Sequence, residues 1–417
     1  MAGRDDLHSP DDAPPPDPPE PGSPSDAFAA RVEASPGRGR DLNTGSSERA
    51  IDLNPYTAPI DAVEAAVVAE TIDDEQPHRQ EVPQPHLLWA LLLVVLLVVM
   101  QIAAVIGGTL VLAAARGGVV SESDLQAMSV QLVPVATFST VVTALLIAAV
   151  MFGHRLARKL ALRGCTPLQW ILVLLLLVPQ SILAGEIANW AMEAIRLIDL
   201  PWLDQLNDMS WISDFSQQSW LLVFAAACLF PGVGEEIFFR GILSRGLVAR
   251  HGVVLGAVLA SVLFGLIHMA PAQVAGTMVI GLVLQTVFMT TRSLPAVIAL
   301  HTANNAMAFV MVRHSELLPI PGYTVETPDV VSHIPPVMVA AALLLTAIVL
   351  ALFYQTRTRW VTPTGGYWSP GFFATEIPPA ELGARPSNDA PNPLLMVGVV
   401  LASLMLIAAV WLSVTTP

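Results

Sequence analysis

With 417 residues, 54% hydrophobic, 13% charged and a mean hydropathy of +0.61, the chain is too apolar for a soluble globular protein, in which about a quarter of residues are charged. The net charge of −14 belongs to one end: residues 1–85 hold 18 Asp and Glu against 6 Arg, and the remainder holds 16 acidic against 14 basic residues. Neither part has the basic surface that nucleic-acid binding requires, which leaves a lipid bilayer as the expected surroundings.

Residues 1–85 are rich in Pro, Asp, Ser and Gly, as in the stretch from Asp11 to Gly22. They hold too little apolar surface to offset ordering entropy, so a disordered tail is predicted. Ile60 to Ile72, rich in Ala and Val, reads as a short helix, either transient or a docking element. The acidic start has no early apolar core, so no secretory signal peptide is expected. The two cysteines, Cys165 and Cys228, lie in a basic loop and an apolar run, and no disulfide is expected between them.

From Leu87 onward the pattern changes to runs of about 20 apolar residues, the length that crosses a bilayer. Candidates fall near 87–115, 127–153, 168–190, 219–249, 252–270, 272–290, 293–312, 335–354 and 392–413. Gln273, Thr277 and Gln285 dilute the run 272–290, which leaves eight or nine transmembrane helices. The fold class is therefore all-α, a polytopic membrane helix bundle behind a disordered tail. The loop holding Arg155, Arg158, Lys159 and Arg163 should be cytoplasmic by the positive-inside rule. The next loop holds Glu193, Asp199, Asp204, Asp208 and Asp214, is bracketed by Trp190, Trp202, Trp211 and Trp220, and should face outward. The tail is then cytoplasmic, and a multi-pass protein of the plasma or bacterial inner membrane is expected. The loop from Gln355 to Pro391 reads as a plain connector or a membrane-surface segment.

Ionisable groups inside spans cost about 2.5–3.5 kcal/mol each and are functional by default. Glu186 falls near the outer end of the third span and reads as interfacial. The others concentrate between residues 235 and 305. Glu236 and Arg240 are four residues apart and can pair, whereas Glu235 points to another face and keeps no cation. A poorly solvated carboxylate of that kind suits a general base or acid. His268 has Phe264 one turn back, a ring that can fix the imidazole. His301 and Asn305 share a helix face, with Asn304 competing for the same role. Glu235 and His268 stand equally far, about 25 Å, from the turn at Arg250-His251-Gly252. His301 lies only about 14 Å from its own turn near Arg292 and meets them if the preceding hairpin extends about 10 Å further into the cytoplasm.

The ordered set Glu235-Glu236-x-x-x-Arg240, Phe264-x-x-x-His268 and His301-x-x-x-Asn305 resembles the CAAX-protease and bacteriocin-processing (CPBP, or Abi) family, which includes the type II CAAX prenyl endopeptidases. The resemblance covers about residues 218–312 and implies a catalytic core there. Helices within 86–217 and 313–417, the latter with a long polar loop, flank it. It implies that Glu235 and His268 activate a water while His301 and Asn305 stabilise the oxyanion, with Glu236, Arg240 and Phe264 as support. Glu235, His268 and His301 are also the candidate ligands of a zinc ion. The absence of His-Glu-x-x-His spacing favours a metal-free, glutamate-type mechanism with no cofactor. The expected function is an intramembrane endopeptidase acting on a membrane-associated protein or peptide. A non-catalytic immunity or scaffold protein and a proton-coupled transporter are the alternatives.

Overall fold

Chain segments that are hydrophobic all round become helices in a bilayer, because only intrahelical bonds satisfy each backbone group there. The computed structural model describes residues 82–118, 121–207, 210–324, 331–360, 384–386 and 391–415. The described residues all belong to one compact unit. The expectations for the tail up to residue 81, for Ile60 to Ile72 and for most of the loop 355–391 lie outside the described residues.

Helix α1 spans Leu87–Ala115, α2 Glu122–Phe152 and α3 Pro167–Ile198, and two short helices follow, α4 (Pro201–Leu206) and α5 (Ser210–Ser216). A long helical stretch, α6, runs Trp220–Leu266, and then come α7 (Pro271–Thr291), α8 (Leu294–Arg313), α9 (Pro336–Gln355) and α10 (Pro393–Thr415). Among the described residues, eight of these are long and apolar enough to cross a membrane. The all-α expectation holds, with one small addition: β1 (Thr358–Trp360) pairs antiparallel with β2 (Ala384–Pro386) at the two ends of the long loop. The diluted run near 272–290 is a full helix, with Gln285 wholly buried in it.

The fourth and fifth candidate runs are the two legs of α6, so the eight long helices account for all nine runs. The chain reverses at Gly252, whose φ of 81° and ψ of 172° are non-helical and open to glycine alone at low cost. Beyond the turn Gly256 lies against the backbone of Val248, as in an antiparallel hairpin. At 1.5 Å per residue the second leg, 253–266, is about 21 Å long, short of the roughly 30 Å hydrocarbon layer.

Helix α3 forms the centre, packed on α7, α9 and α8, while α1 touches mainly α2 and α10 mainly α9. Leu88, Leu92, Val95, Val99 and Leu110 of α1 stay exposed, a flank suited to lipid. The turns at one end are stitched together: Leu294 N–H donates to Ala161 O (3.1 Å), Ser293 to Arg163 O (2.5 Å) and Gln169 Nε2 to Thr356 O (2.9 Å). Arg250 there bonds the carbonyl of Pro83. This is the basic end; the tryptophan-bracketed loops lie at the opposite ends of the same helices.

The first leg of α6 is irregular where it matters. Two π-helical turns, Phe224–Leu229 and Ile237–Leu243, flank the α-helical piece Phe230–Glu236. Pro231 has no N–H for the carbonyl of Ala227 four residues back, which explains the loosened first turn. The piece is clamped between α8 and α2 by Gly232 and Gly234. A Cβ on Gly232 would stand 2.3 Å from Thr302 Oγ1, and one on Gly234 2.9 Å from the backbone nitrogen of Val141. Gly234→Ala is therefore expected to destabilise the bundle by about 1–3 kcal/mol, since the obstacle is backbone and cannot turn aside. Thermal unfolding in detergent measures it.

Glu186, near the outer end of the third apolar run, is 7% exposed, because the chain after α8 folds back over it. Its carboxylate accepts from His333 Nδ1 (2.9 Å), Ile334 N–H (2.8 Å) and Asn189 Nδ2 (3.4 Å). Tyr323 of the same loop shares a 2.7 Å hydrogen bond with Ser181. Cys165 and Cys228 are both free thiols, and burial pushes Cys165 up to about 11.

Candidate active site

The clamped piece of α6 delivers Glu235 and Glu236 to α8. Arg240 donates to Glu236 Oε1 at 2.7 Å and, from its other terminal nitrogen, to Gly281 O of α7 at 3.0 Å. It is 1% exposed, so it ties two helices from inside the bundle. His301 Nδ1 lies 2.8 Å from the same Glu236 oxygen. An ionised carboxylate only accepts, so Nδ1 carries the proton and Nε2 is turned away from Glu236. That nitrogen faces Glu235 Oε2 at 4.0 Å. The gap is too long for a direct hydrogen bond. The Glu235 side chain is 13% exposed and that of Glu236 0%, so Glu235 is the carboxylate a substrate can reach.

Phe264 organises the rings. It meets the His268 ring edge-on at 5.4 Å and the His301 ring at 5.7 Å, and the Arg240 guanidinium stacks on its face at 4.5 Å. His268 stands just beyond the end of α6, where Met269 takes a left-handed φ of 60° and Pro271 opens α7. Its Nδ1 lies 3.1 Å from the Phe264 carbonyl. A carbonyl can only accept, which places the proton on Nδ1 and leaves the Nε2 lone pair for a partner. Among the described residues no hydrogen bond or ion pair joins His268 to Glu235; Phe264 is the common neighbour of His268 and His301.

Asn305 is half-buried and donates through Nδ2 to Ala227 O at 3.3 Å, the carbonyl that Pro231 leaves without a helical partner. One of its two N–H bonds is thus spent on bracing α6 and the other is unspent. Asn304 is buried, and its Oδ1, Thr302 Oγ1, Glu235 Oε2 and Glu236 Oε2 have no hydrogen-bond partner among the described residues. Orphaned buried polar atoms are rare in proteins unless water or a ligand completes them. Here they sit on two facing helices, α6 and α8.

Among the described residues no three His, Cys, Asp or Glu side chains are gathered so as to hold a metal ion. The Nδ1 contacts of His301 and His268 leave both Nε2 atoms open, and no step is derived through a metal.

Residues 217–307 match the family model described as type II CAAX prenyl endopeptidase Rce1-like. The chain carries an Rce1-like segment. It takes in all of the residues just described and covers less than a quarter of the 417 residues. No curated protein and no solved structure matches the chain. The eight apolar spans mark a multi-pass membrane protein, and the matched segment is similar to the type II CAAX prenyl endopeptidase family.

Sequence spacing alone did not reveal the bond between Glu236 and His301. Helical arithmetic pairs Glu236 with Arg240 and cannot see a partner 65 residues away. A usable signal was present in Phe230-Pro231-Gly232-Val233-Gly234, since a proline and two glycines inside an apolar run announce a loosened, closely approached helix.

Proposed function

We propose that the chain is an intramembrane endopeptidase that hydrolyses a peptide bond of a membrane-associated protein or peptide without a metal ion. The observation that carries the reading is the 4.0 Å gap between Glu235 Oε2 and His301 Nε2, buried and bordered by unspent polar atoms. Glu235 takes a proton from a water, while the Nε2 lone pair of His268 orients that water. Its oxygen attacks the carbonyl carbon, and the carbonyl π electrons move onto oxygen. His301 Nε2–H and the unspent N–H of Asn305 bind this oxyanion, as preorganised donors in a dry site do. Glu235 then gives its proton to the departing amine nitrogen as the C–N bond breaks.

A doubly protonated His301 makes the set Arg240, His301, Glu235 and Glu236 neutral as a whole, which is the inexpensive arrangement in a low-dielectric interior. Glu236 holds its Nδ1–H and so positions the ring. The basic end would face the cytoplasm, and the family description points to lipid-modified C-terminal peptides as the first substrates to try.

The test uses full-length protein in liposomes with a panel of peptides anchored by a prenyl group, an acyl chain or a spanning helix. Mass spectrometry should find one class cleaved at a single bond, with the rate unchanged by a chelator. No cleavage across the panel would sink the reading, and loss of activity with the chelator would overturn the metal-free mechanism. A second test separates the two duties of Asn305. Asn305→Ala should lower kcat by about 100- to 1000-fold and lower stability as well. Adding Pro231→Ala, which returns an N–H to the carbonyl of Ala227, should recover unfolding temperature but not kcat.

A further inference from the structure

Away from the Rce1-like segment, one face of α3 presents Glu186, Asn189, Trp190 and Glu193, spaced so that they stack along the helix. His333, in the chain leading into α9, sits on this face. Its Nδ1 is 2.9 Å from Glu186 Oε1 and its Nε2 3.4 Å from Glu193 Oε2, and its ring lies 4.5 Å from the Trp190 ring. Both ring nitrogens thus face carboxylate oxygens. A neutral imidazole has one N–H and can serve one of them; only the imidazolium donates to both. The indole ring beside it also favours a cation.

We propose that His333 is a proton-dependent latch that fastens the loop after α8 to α3. In the imidazolium form it bridges Glu186 and Glu193. In the neutral form Nδ1–H stays on Glu186, while the Nε2 lone pair confronts Glu193, which is 45% exposed and turns to water. The groups facing His333 are Glu186 and Glu193 from α3; among the described residues no other charged side chain pairs with it. From the loop itself comes Tyr323, which burial pushes up, so it stays neutral throughout. The neighbouring Ile334 N–H donates to Glu186 at 2.8 Å and its side chain is buried in the main core. The latch therefore governs how firmly the segment that follows the His301 helix is held, and it does not rest on the peptidase reading.

Hydrogen exchange followed by mass spectrometry on the full chain in detergent, at about pH 5.5 and 8, bracketing the ordinary imidazole range, tests this. After correction for intrinsic exchange, protection of residues 331–335 should fall about three- to fivefold at the higher pH, the scale of one partly exposed ion pair. Peptides from α7 should show no such change. Glu193→Gln, whose amide can donate to the neutral ring, should remove most of the pH response while keeping the loop protected. His333→Gln should give equal protection at both values. Equal protection of the wild type at both pH values, or a full response in Glu193→Gln, would overturn the latch; if His333→Gln does not fold, the Glu193 variant decides.

Discussion

Glu235→Gln is expected to reduce peptide cleavage by at least about a hundredfold and as much as ten-thousandfold, the span that a positioned general base contributes, with little change in unfolding temperature. The two halves of this expectation have separate causes. Among the described residues Glu235 makes no hydrogen bond that holds helices together: its Oε2 is buried without a partner there and stands 4.0 Å from His301. Gln keeps the shape and gives up the basic oxygen. Glu236→Gln should behave in the opposite sense, because Glu236 receives both Arg240 and His301. It should cost stability first, and activity through a misdirected His301 ring. Initial rates in liposomes beside thermal unfolding of the same preparations check both. Equal rates for Glu235→Gln and wild type would remove Glu235 from the chemistry and the metal-free mechanism with it.

Arg240→Met should be the most destabilising single change at the site, about 3–5 kcal/mol, the cost of stranding a buried charge by removing its partner. Arg240 does three things at once: it neutralises Glu236, donates to the carbonyl of Gly281 and lies on the face of Phe264. Lysine can meet the charge but lacks the planar fork for the other two contacts, so Arg240→Lys should fall between wild type and Met. The informative variant is Arg240→Met with Glu236→Gln. With the stranded charge gone, a good part of the lost stability should return, while cleavage stays low because His301 has lost the carboxylate that positions its ring. If the double variant is no more stable than Arg240→Met, Arg240 matters as packing and not as a counter-ion. Chemical or thermal unfolding in a single detergent gives the comparison.

The contrast between these two glutamates shows where local spacing stops being informative. Residues 235 and 236 are neighbours on one helix, and spacing alone gives each a face. The partner of each face belongs to another helix. Arg240 could be read as the mate of Glu236 because four residues is one helical turn. His301 could not, and it is His301 that draws Glu236 toward the chemistry by holding the ring that faces Glu235. Asn305 tells the same story from the other side. Its spacing from His301 suggested a shared task, whereas its hydrogen bond goes to a carbonyl exposed by a proline on α6. Glu186 stands near the end of an apolar run, and a loop after α8, far along the chain, buries it.

Apolar run lengths, the proline and glycine interruptions and the few charges within spans determined on their own that this is a multi-span helical membrane protein with its polar chemistry between residues 235 and 305. Each of those signals is local: a run of about 20 apolar residues has one low-energy form in lipid, and a charge inside it demands a reason wherever it packs. Only the tertiary structure decided that Glu236 receives both Arg240 and His301 and that His301 Nε2 stands 4.0 Å from Glu235. Those outcomes depend on the depth and rotation of one helix against another, which the close contacts at Gly232 and Gly234 set and which no single helix's periodicity contains.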